Sequence, residues 1–150
     1  MDIGSKCGYP ASSLSNFSPH PFVIDGVECS SMEGFLQSLK FSSIDMQRHV
    51  CTLVGLAAKR KGAKKAWWRT QTLYWQGVEY PRKSRAYQEL LDRAYEALNQ
   101  NSGFRKALEA TGDSSLTHSI GKSDPTHTIL TTQEFCSRLL KLREKNRRNE

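Results

Sequence analysis

Apolar residues recur at three- and four-residue intervals over much of the chain, which is the period of helices with one buried face. The first such stripe comprises Met32, Phe35, Leu36 and Leu39. It predicts a helix over residues 31–41, with Ser30 ahead of it as the N-cap. The longest stripe runs from Tyr87 to Leu98 and predicts a helix that Ser84 caps.

The same period predicts three further helices. One covers residues 44–59, and a shorter one lies around Phe104 and ends where Gly112 can adopt a left-handed conformation. The last begins at Thr131-x-x-Glu134, a capping-box pattern in which each residue satisfies a backbone N–H of the other.

Two stretches favour strands instead. Residues 22–29, FVIDGVEC, place apolar residues on both sides of Asp25-Gly26, a pair suited to a type I′ hairpin turn. Residues 115–120, SLTHSI, alternate like a strand, and a loop follows at 121–131. The predicted fold class is therefore α+β and mostly helical, with a short N-terminal β-hairpin and about five or six helices.

A chain of 150 residues is the size of one domain and can bury a core without disulfides or metal. We expect a single domain with its core at about 8–143 and a basic tail at 144–150. The last ten residues, KLREKNRRNE, look too charged to pack and predict a frayed helix end.

The charge balance of the chain indicates which class of partner it favours. With 22 Lys and Arg against 15 Asp and Glu, the net charge is +7, which favours anionic partners such as nucleotides, nucleic acid or other phosphates. The four cysteines are scattered without a C-x-x-C pair, and the longest apolar run, LVGLAA at 53–58, is too short to cross a membrane. These features predict reduced thiols, a cytoplasmic location and no membrane partner.

Two acids are candidates for chemistry, and each has an alternative structural interpretation. Glu33 completes Ser30-x-x-Glu33, itself a capping-box pattern, but a carboxylate at this position can also line a cleft and stabilise developing positive charge. Asp124 precedes Pro125, a pair typical of a turn cap, and its alternative role is catalytic.

The stretch KRKGAKKAWW at residues 59–68 combines cations with flat aromatic faces. It can bind phosphates and stack on a base, or it can be a solvated charge run beside core aromatics. The histidines lack the short ligand spacings of zinc sites, so no metal is expected. Common nucleotide-binding and hydrolase motifs are missing, so these patterns alone leave the function open.

Residues 14–41, LSNFSPHPFVIDGVECSSMEGFLQSLKF, resemble the NADAR (YbiA-like) family, whose members carry an S-N-F segment, a D-G turn and then S-E-H-x-x-Q-x-x-K-F. The residues that keep the family's order are Asn16, Gly26, Glu33, Gln37 and Lys40. Met32 is inserted between the serine and the acid, and Gly34 stands where the family has histidine. HSIGKSDPTHTILT replaces the family's late glycine-rich stretch, which indicates a distinct branch.

The resemblance implies an N-glycosidase that needs no cofactor. Family members are associated with cleaving ADP-ribose from guanine, as nucleoside or in DNA, or with phosphorylated ribosylamine intermediates of riboflavin synthesis. The implied partner is thus an ADP-ribosyl or phosphoribosyl small molecule, or ADP-ribosylated DNA. The alternative is a module that binds ADP-ribose or nucleic acid through residues 59–68 without cleaving it.

By resemblance, three residues are expected to be catalytic. Glu33 would stabilise an oxocarbenium-like sugar, Trp75 would stack on the base or ribose, and Asp124 would orient the ribose or assist proton transfer. The expected substrate-binding residues are Asn16, Phe17, Gln37, Lys40, Trp68, His118, Ser119, Gly121 and Lys122.

Overall fold

The structure, a computed structural model, describes residues 1–149 and is α+β and mostly helical, as the hydrophobic pattern predicts. Its strands are β1 (Phe22–Ile24), β2 (Val27–Cys29), β3 (Thr72–Trp75) and β4 (Val78–Pro81). Its helices are α1 (Met32–Ser38), α2 (Ile44–Cys51), α3 (Gly55–Ala63), α4 (Arg85–Leu98), α5 (Ser102–Ala110) and α6 (Thr132–Arg148).

Each pair of strands forms an antiparallel two-stranded hairpin. In the predicted β1–β2 hairpin the turn residues Asp25 and Gly26 have φ of 49° and 77°, which confirms the left-handed turn. The β3–β4 hairpin was not predicted. Its turn residues, Gln76 and Gly77, adopt similar positive φ values of 49° and 84°, although glutamine is not a typical residue for such a turn.

The predicted helix over 44–59 is wrong, because the chain breaks between α2 and α3. Val54 is extended and Gly55 has a φ of +56°, a left-handed conformation that glycine adopts without a steric cost. The break exposes the carbonyl of Leu53, which accepts a hydrogen bond from Ser31 Oγ at 3.0 Å. The connection between α2 and α3 is thereby fixed to the start of α1.

Helix α4 lies at the centre of the core. Its predicted stripe is fully buried and consists of Tyr87, Leu90, Leu91, Ala94, Tyr95 and Leu98, and Ser84 caps the helix as expected. It packs against β1, β4 and α6. The Gly112 turn after α5 and the Thr131–Glu134 capping box of α6 are also confirmed.

Residues 115–120 do not form the predicted strand. Thr117 alone pairs, in a parallel bridge with Asp2, and its N–H and C=O bond to Met1 and Ile3. The alternating residues at 115–120 therefore form a single bridge to the start of the chain and not a strand. The core accordingly begins before residue 8, because Ile3 is buried.

The expected frayed end is also wrong for the described residues. Helix α6 continues to Arg148, because Asn146 exchanges two amide hydrogen bonds with Asn99 and Lys145 pairs with Glu96 of α4 at 2.5 Å. The final residue, Glu150, lies outside the described residues. None of the helices within residues 1–149 is both long and apolar enough to cross a membrane.

Candidate active site

A cleft of about 790 Å³ opens beside the first turns of α1. One wall is the N-terminal segment 2–7, another is α1 itself, and a third comes from the chain around 118–130. Seven of the expected site residues line it: Asn16, Phe17, Glu33, Gln37, Lys40, His118 and Lys122. The structure thus brings together most of the residues that the family resemblance indicates.

Glu33 lies on the first turn of α1 and faces the cleft. Its backbone N–H donates to the carbonyl of Asn16 at 2.9 Å, and its Oε1 accepts from Gln37 Nε2 at 2.9 Å. The capping-box interpretation is wrong, because Ser31 caps α1 by accepting from the N–H of Gly34 at 3.0 Å. The Glu33 carboxylate is therefore not used to cap the helix.

Burial raises the pKa of the Glu33 carboxyl above its usual value. The hydrogen bond from Gln37 acts in the opposite direction, as do the charges of Lys40 and Lys59 and that of His118 when it is protonated, but together they offset only part of this effect. A carboxyl with a raised pKa in a cleft is suited to accept a proton from water.

Four lysines line the same cleft: Lys6, Lys40, Lys59 and Lys122. None of them forms an ion pair with any residue from 1 to 149. Burial lowers the pKa of Lys40, the charge of Glu33 opposes that shift, and Lys122 adds to it. The cleft therefore presents unpaired cations beside one half-buried carboxylate, an arrangement suited to a phosphorylated ligand.

Asn16 and Phe17 close the cleft next to Glu33. The Tyr95 hydroxyl donates to Asn16 Oδ1 at 2.9 Å, which leaves the Asn16 Nδ2 amide without a hydrogen-bond partner among residues 1–149. Burial raises the pKa of Tyr95 well above its usual range, so Tyr95 stays a donor. The ring of Phe17 packs against Gly55, where a Cβ would lie 3.6 Å away. Asn16 can thus donate to a ligand.

His118 has a defined tautomer. Its Nδ1 lies 2.7 Å from the carbonyl of Ile3, and a carbonyl only accepts, so Nδ1 carries a proton. Its ring packs edge-on against Phe135 with centroids 5.2 Å apart. Nε2 makes no hydrogen bond within residues 1–149 and can exchange a proton with a ligand.

The three tryptophans occupy different environments. Trp75 is buried in the core, where its Nε1 donates to Asp25 Oδ2 at 2.9 Å and its ring packs on Phe35, so it does not line the cleft. Trp68 is 54% exposed and lies outside the cleft, above a separate hollow. Trp67, which was not selected from the sequence, lines the cleft.

Three other expected site residues also lie outside the cleft lining. Asp124 Oδ1 accepts from the N–H and Oγ1 of Thr126, so Asp124 caps the turn, and these hydrogen bonds lower its pKa. Ser119 donates from its N–H and Oγ to the carboxylate of Asp2. A Cβ at Gly121 would lie 2.6 Å from His118 Cδ2, so this glycine leaves room for the His118 ring.

No local sequence pattern indicates the N-terminal wall of the cleft. Asp2, Ile3 and Lys6 reach the site because Met1–Ile3 pairs with Thr117, more than a hundred residues away. Lys59 and Trp67 lie within the basic and aromatic stretch, but its sequence does not indicate which of its side chains face the cleft. Among residues 1–149 no three His, Cys, Asp or Glu side chains converge as metal ligands would.

Comparison with known proteins identifies the family and the fold of the chain. Residues 8–144 match the family model of bacteriophage protein GP30.3. The chain is 43% identical over 149 residues to the uncharacterized 17.1 kDa protein in the Gp30-rIII intergenic region of Enterobacteria phage T4, covering 96% of this chain and 97% of that protein.

The fold is similar to the NMR structure of the E. coli protein YbiA, with a TM-score of 0.64 and 18% sequence identity over 99% of this chain and 85% of that one. The resemblance to YbiA-like proteins that the sequence indicates is thereby confirmed at the level of the fold. The protein belongs to the bacteriophage GP30.3 family and has a YbiA-like fold.

Proposed function

We propose that the cleft hydrolyses an N-glycosidic bond between a phosphorylated ribosyl group and a nitrogen base. The observation that carries this proposal is the half-buried Glu33 carboxylate, held by Gln37 in a cleft with four unpaired lysines. A volume of about 790 Å³ lies within the range of clefts that hold a small ligand.

The reaction needs negative charge where the sugar becomes cationic. Water attacks the anomeric carbon, the C–N bond breaks, and its electron pair goes to the base nitrogen. Glu33 stabilises the oxocarbenium-like sugar and accepts a proton from the attacking water. The products are the free ribosyl compound with a new hydroxyl group and the base with a new N–H.

The departing nitrogen needs a proton. His118 lines the cleft and has Nε2 free, so in its protonated form it can donate a proton to this nitrogen. Asn16 Nδ2 can donate a hydrogen bond to a ribose hydroxyl, and Trp67 can pack on the base or sugar. Lys40, Lys59 and Lys122 hold the phosphate charge.

Within this reaction class we propose ADP-ribose attached to guanine, as nucleoside or in DNA, as the substrate. This assignment rests on the family resemblance and on the lysine-rich lining, which suits a pyrophosphate. A phosphorylated ribosylamine intermediate of riboflavin synthesis carries less charge and is the second candidate. We place the enzyme in the cytoplasm, where its four free cysteines stay reduced.

The test is chromatography of products after incubation with ADP-ribosylated guanosine, guanine-ADP-ribosylated DNA and the ribosylaminopyrimidine phosphate. Release of free ADP-ribose from the first two supports the proposal, and release of ribose 5-phosphate from the third alone reassigns the substrate. Binding of ADP-ribose without release from any of the three would contradict the glycosidase and favour a binding module.

A further inference from the structure

A second hollow, of about 370 Å³, adjoins the cleft on the outside of the protein. It is lined by Trp68, Gln71, Thr126 and His127. His127 also lines the main cleft, so the two spaces share one side chain. A ligand that occupies the cleft can therefore extend into the hollow without leaving the surface.

The aromatic wall of the hollow is open to solvent. The 3-10 turn Trp67–Arg69 directs Trp67 into the protein and Trp68 outward, where its side chain is 54% exposed. The guanidinium of Arg69 lies 5.3 Å from the centroid of the Trp68 ring. An exposed indole beside a cation is suited to stack on a nucleobase whose phosphate is close by.

Gln71 supplies a second and independent observation. Its φ is +53°, an uncommon conformation for a residue other than glycine. Its Nε2 donates to the carbonyls of Trp68 at 2.9 Å and Thr126 at 3.0 Å, which joins the two sides of the hollow. Its buried Oε1 has no hydrogen-bond partner within residues 1–149, although such acceptors are normally satisfied.

The segment of the chain that carries Trp68 is strongly basic, whereas the acid beside the hollow is Asp124, which lies 3.6 Å from His127. Residues 46–78 contain no Asp or Glu. Six cationic side chains lie in this stretch after α3 begins, and none of them forms an ion pair within residues 1–149: Lys59, Arg60, Lys61, Lys64, Lys65 and Arg69. Unpaired cations next to an exposed aromatic ring are typical of surfaces that follow a nucleotide chain.

We propose that this hollow is a second nucleobase subsite, in which a base joined through phosphate to the group in the cleft stacks on Trp68. The inference rests on the proposed function for the occupant of the cleft, and it deepens that function by adding a base-recognition site. The base can come from the adenosine end of an ADP-ribosyl group or from the neighbouring nucleotide of a strand.

The test measures binding and not turnover, so that it is independent of the glycosidase. Fluorescence anisotropy would compare a labelled dT decamer with an abasic decamer that has the same phosphates and no bases. The wild type should bind the dT decamer about tenfold more tightly. Trp68→Ala should remove this difference without changing binding of the abasic strand, and Trp68→Phe should retain part of it.

Leu140→Ala is the matched control, because Leu140 is an exposed apolar residue on α6 away from both spaces. Titration with ADP-ribose separates the two sources of the base. Weaker ADP-ribose binding by Trp68→Ala indicates the adenine, and an effect confined to the decamer indicates a strand.

Wild-type affinity of Trp68→Ala for both the dT decamer and ADP-ribose would overturn the subsite. If the Trp68 dependence holds while no ADP-ribose is released from any substrate, the subsite stands and the glycosidase is wrong.

Discussion

Gln37 holds Glu33 from one helical turn away, with Nε2 donating to Oε1 at 2.9 Å. The Gln37 side chain itself is fixed by α3, because it lies directly against Gly62, where no Cβ fits. A contact between two helices thereby sets the direction of the carboxylate that we propose to be catalytic.

Gly62→Ala should therefore reduce activity without touching the substrate. The added Cβ would overlap the Gln37 carboxamide, so Gln37 must move away from Glu33 or the helices must separate. We expect a loss of stability of about 1–3 kcal/mol and a lower kcat. Urea unfolding and steady-state kinetics measure the two effects.

Gly8→Ala is the control, because no heavy atom lies within 4 Å of a Cβ built there. It should leave both stability and kcat unchanged. Wild-type kcat in a destabilised but folded Gly62→Ala variant would contradict the proposed role of Gln37.

Lys59→Ala should move the acidic limb of the pH–rate profile to higher pH. The Lys59 charge favours the ionised form of Glu33 and so lowers its pKa, which burial holds above the usual 4.5. Removal of the cation raises that pKa further, so the active carboxylate is lost at a higher pH.

Lys141→Ala is the charge-matched control, since Lys141 is exposed on α6 and does not line the cleft. Its profile of kcat/KM against pH should match the wild type. An unchanged acidic limb in Lys59→Ala, or a shift to lower pH, would show that Glu33 is not the group whose titration limits the rate.

The two buried tryptophans should respond differently to replacement by phenylalanine. Trp67 lines the cleft, so Trp67→Phe should raise KM by about tenfold through weaker packing on the substrate. Trp75→Phe loses the hydrogen bond to Asp25 and part of a core contact, which should cost about 1–3 kcal/mol of stability and leave KM unchanged. The opposite pattern in KM would restore Trp75 as the residue that contacts the substrate.

Arg82 fixes the loop that forms one wall of the cleft. It is almost fully buried, binds Glu134 through both terminal nitrogens and donates from Nε to the carbonyl of Thr128, a cleft residue. Arg82→Met leaves Glu134 without its cation and should cost about 3–5 kcal/mol of stability. Chemical denaturation measures this loss.

Arg85→Met removes an ion pair that is exposed, because the Arg85 side chain is 93% accessible in its contact with Glu89. We expect a change below about 1 kcal/mol. Similar losses in the two variants would mean that the Arg82 pair does not hold the loop.

The sequence predicted the parts of the fold that depend on local pattern. The α4 stripe, the Ser84 cap and the Asp25-Gly26 turn each arise from neighbouring residues, and the structure confirms them. The grouping of Glu33, Gln37 and Lys40 was also predictable, because spacings of four and three residues put Glu33 and Gln37 on one face of α1 and Lys40 on the same side, in the turn that follows the helix.

The other parts of the fold and of the cleft depend on long-range contacts. No local pattern indicates that Ile3 accepts from His118 or that Thr117 pairs with Asp2, although both contacts build the cleft. The break at Gly55 is equally hidden, because the same residues also fit a continuous helical stripe. Which tryptophan reaches the cleft depends on a short 3-10 turn that periodicity does not predict.

Gly34 stands where YbiA-like proteins have histidine, and the structure offers a physical reason for this difference. Gly34 lies so close to the connection between α2 and α3 that a Cβ there would be 2.5 Å from the carbonyl of Leu53. A histidine would displace that connection. The glycine therefore allows α1 to pack closely against this connection. The imidazole that lines the cleft belongs to His118, in another part of the chain.

Glu33→Gln removes the carboxylate that we propose to drive cleavage of the N-glycosidic bond, with little change in the shape of the side chain. Because the folded protein holds the pKa of Glu33 above its unfolded value, the ionised carboxylate lowers stability as pH rises above about 4.5. The variant should therefore melt at the same or a higher temperature than the wild type at neutral pH, which shows that it is folded.

The most direct measurement is the initial rate of free ADP-ribose release from ADP-ribosylated guanosine by wild type and Glu33→Gln at neutral pH. We predict release by the wild type and a rate at least about a hundredfold lower for the folded variant. Equal rates for the two proteins, or no release by the wild type from any N-ribosyl substrate, would contradict the assignment of Glu33 as the catalytic carboxylate.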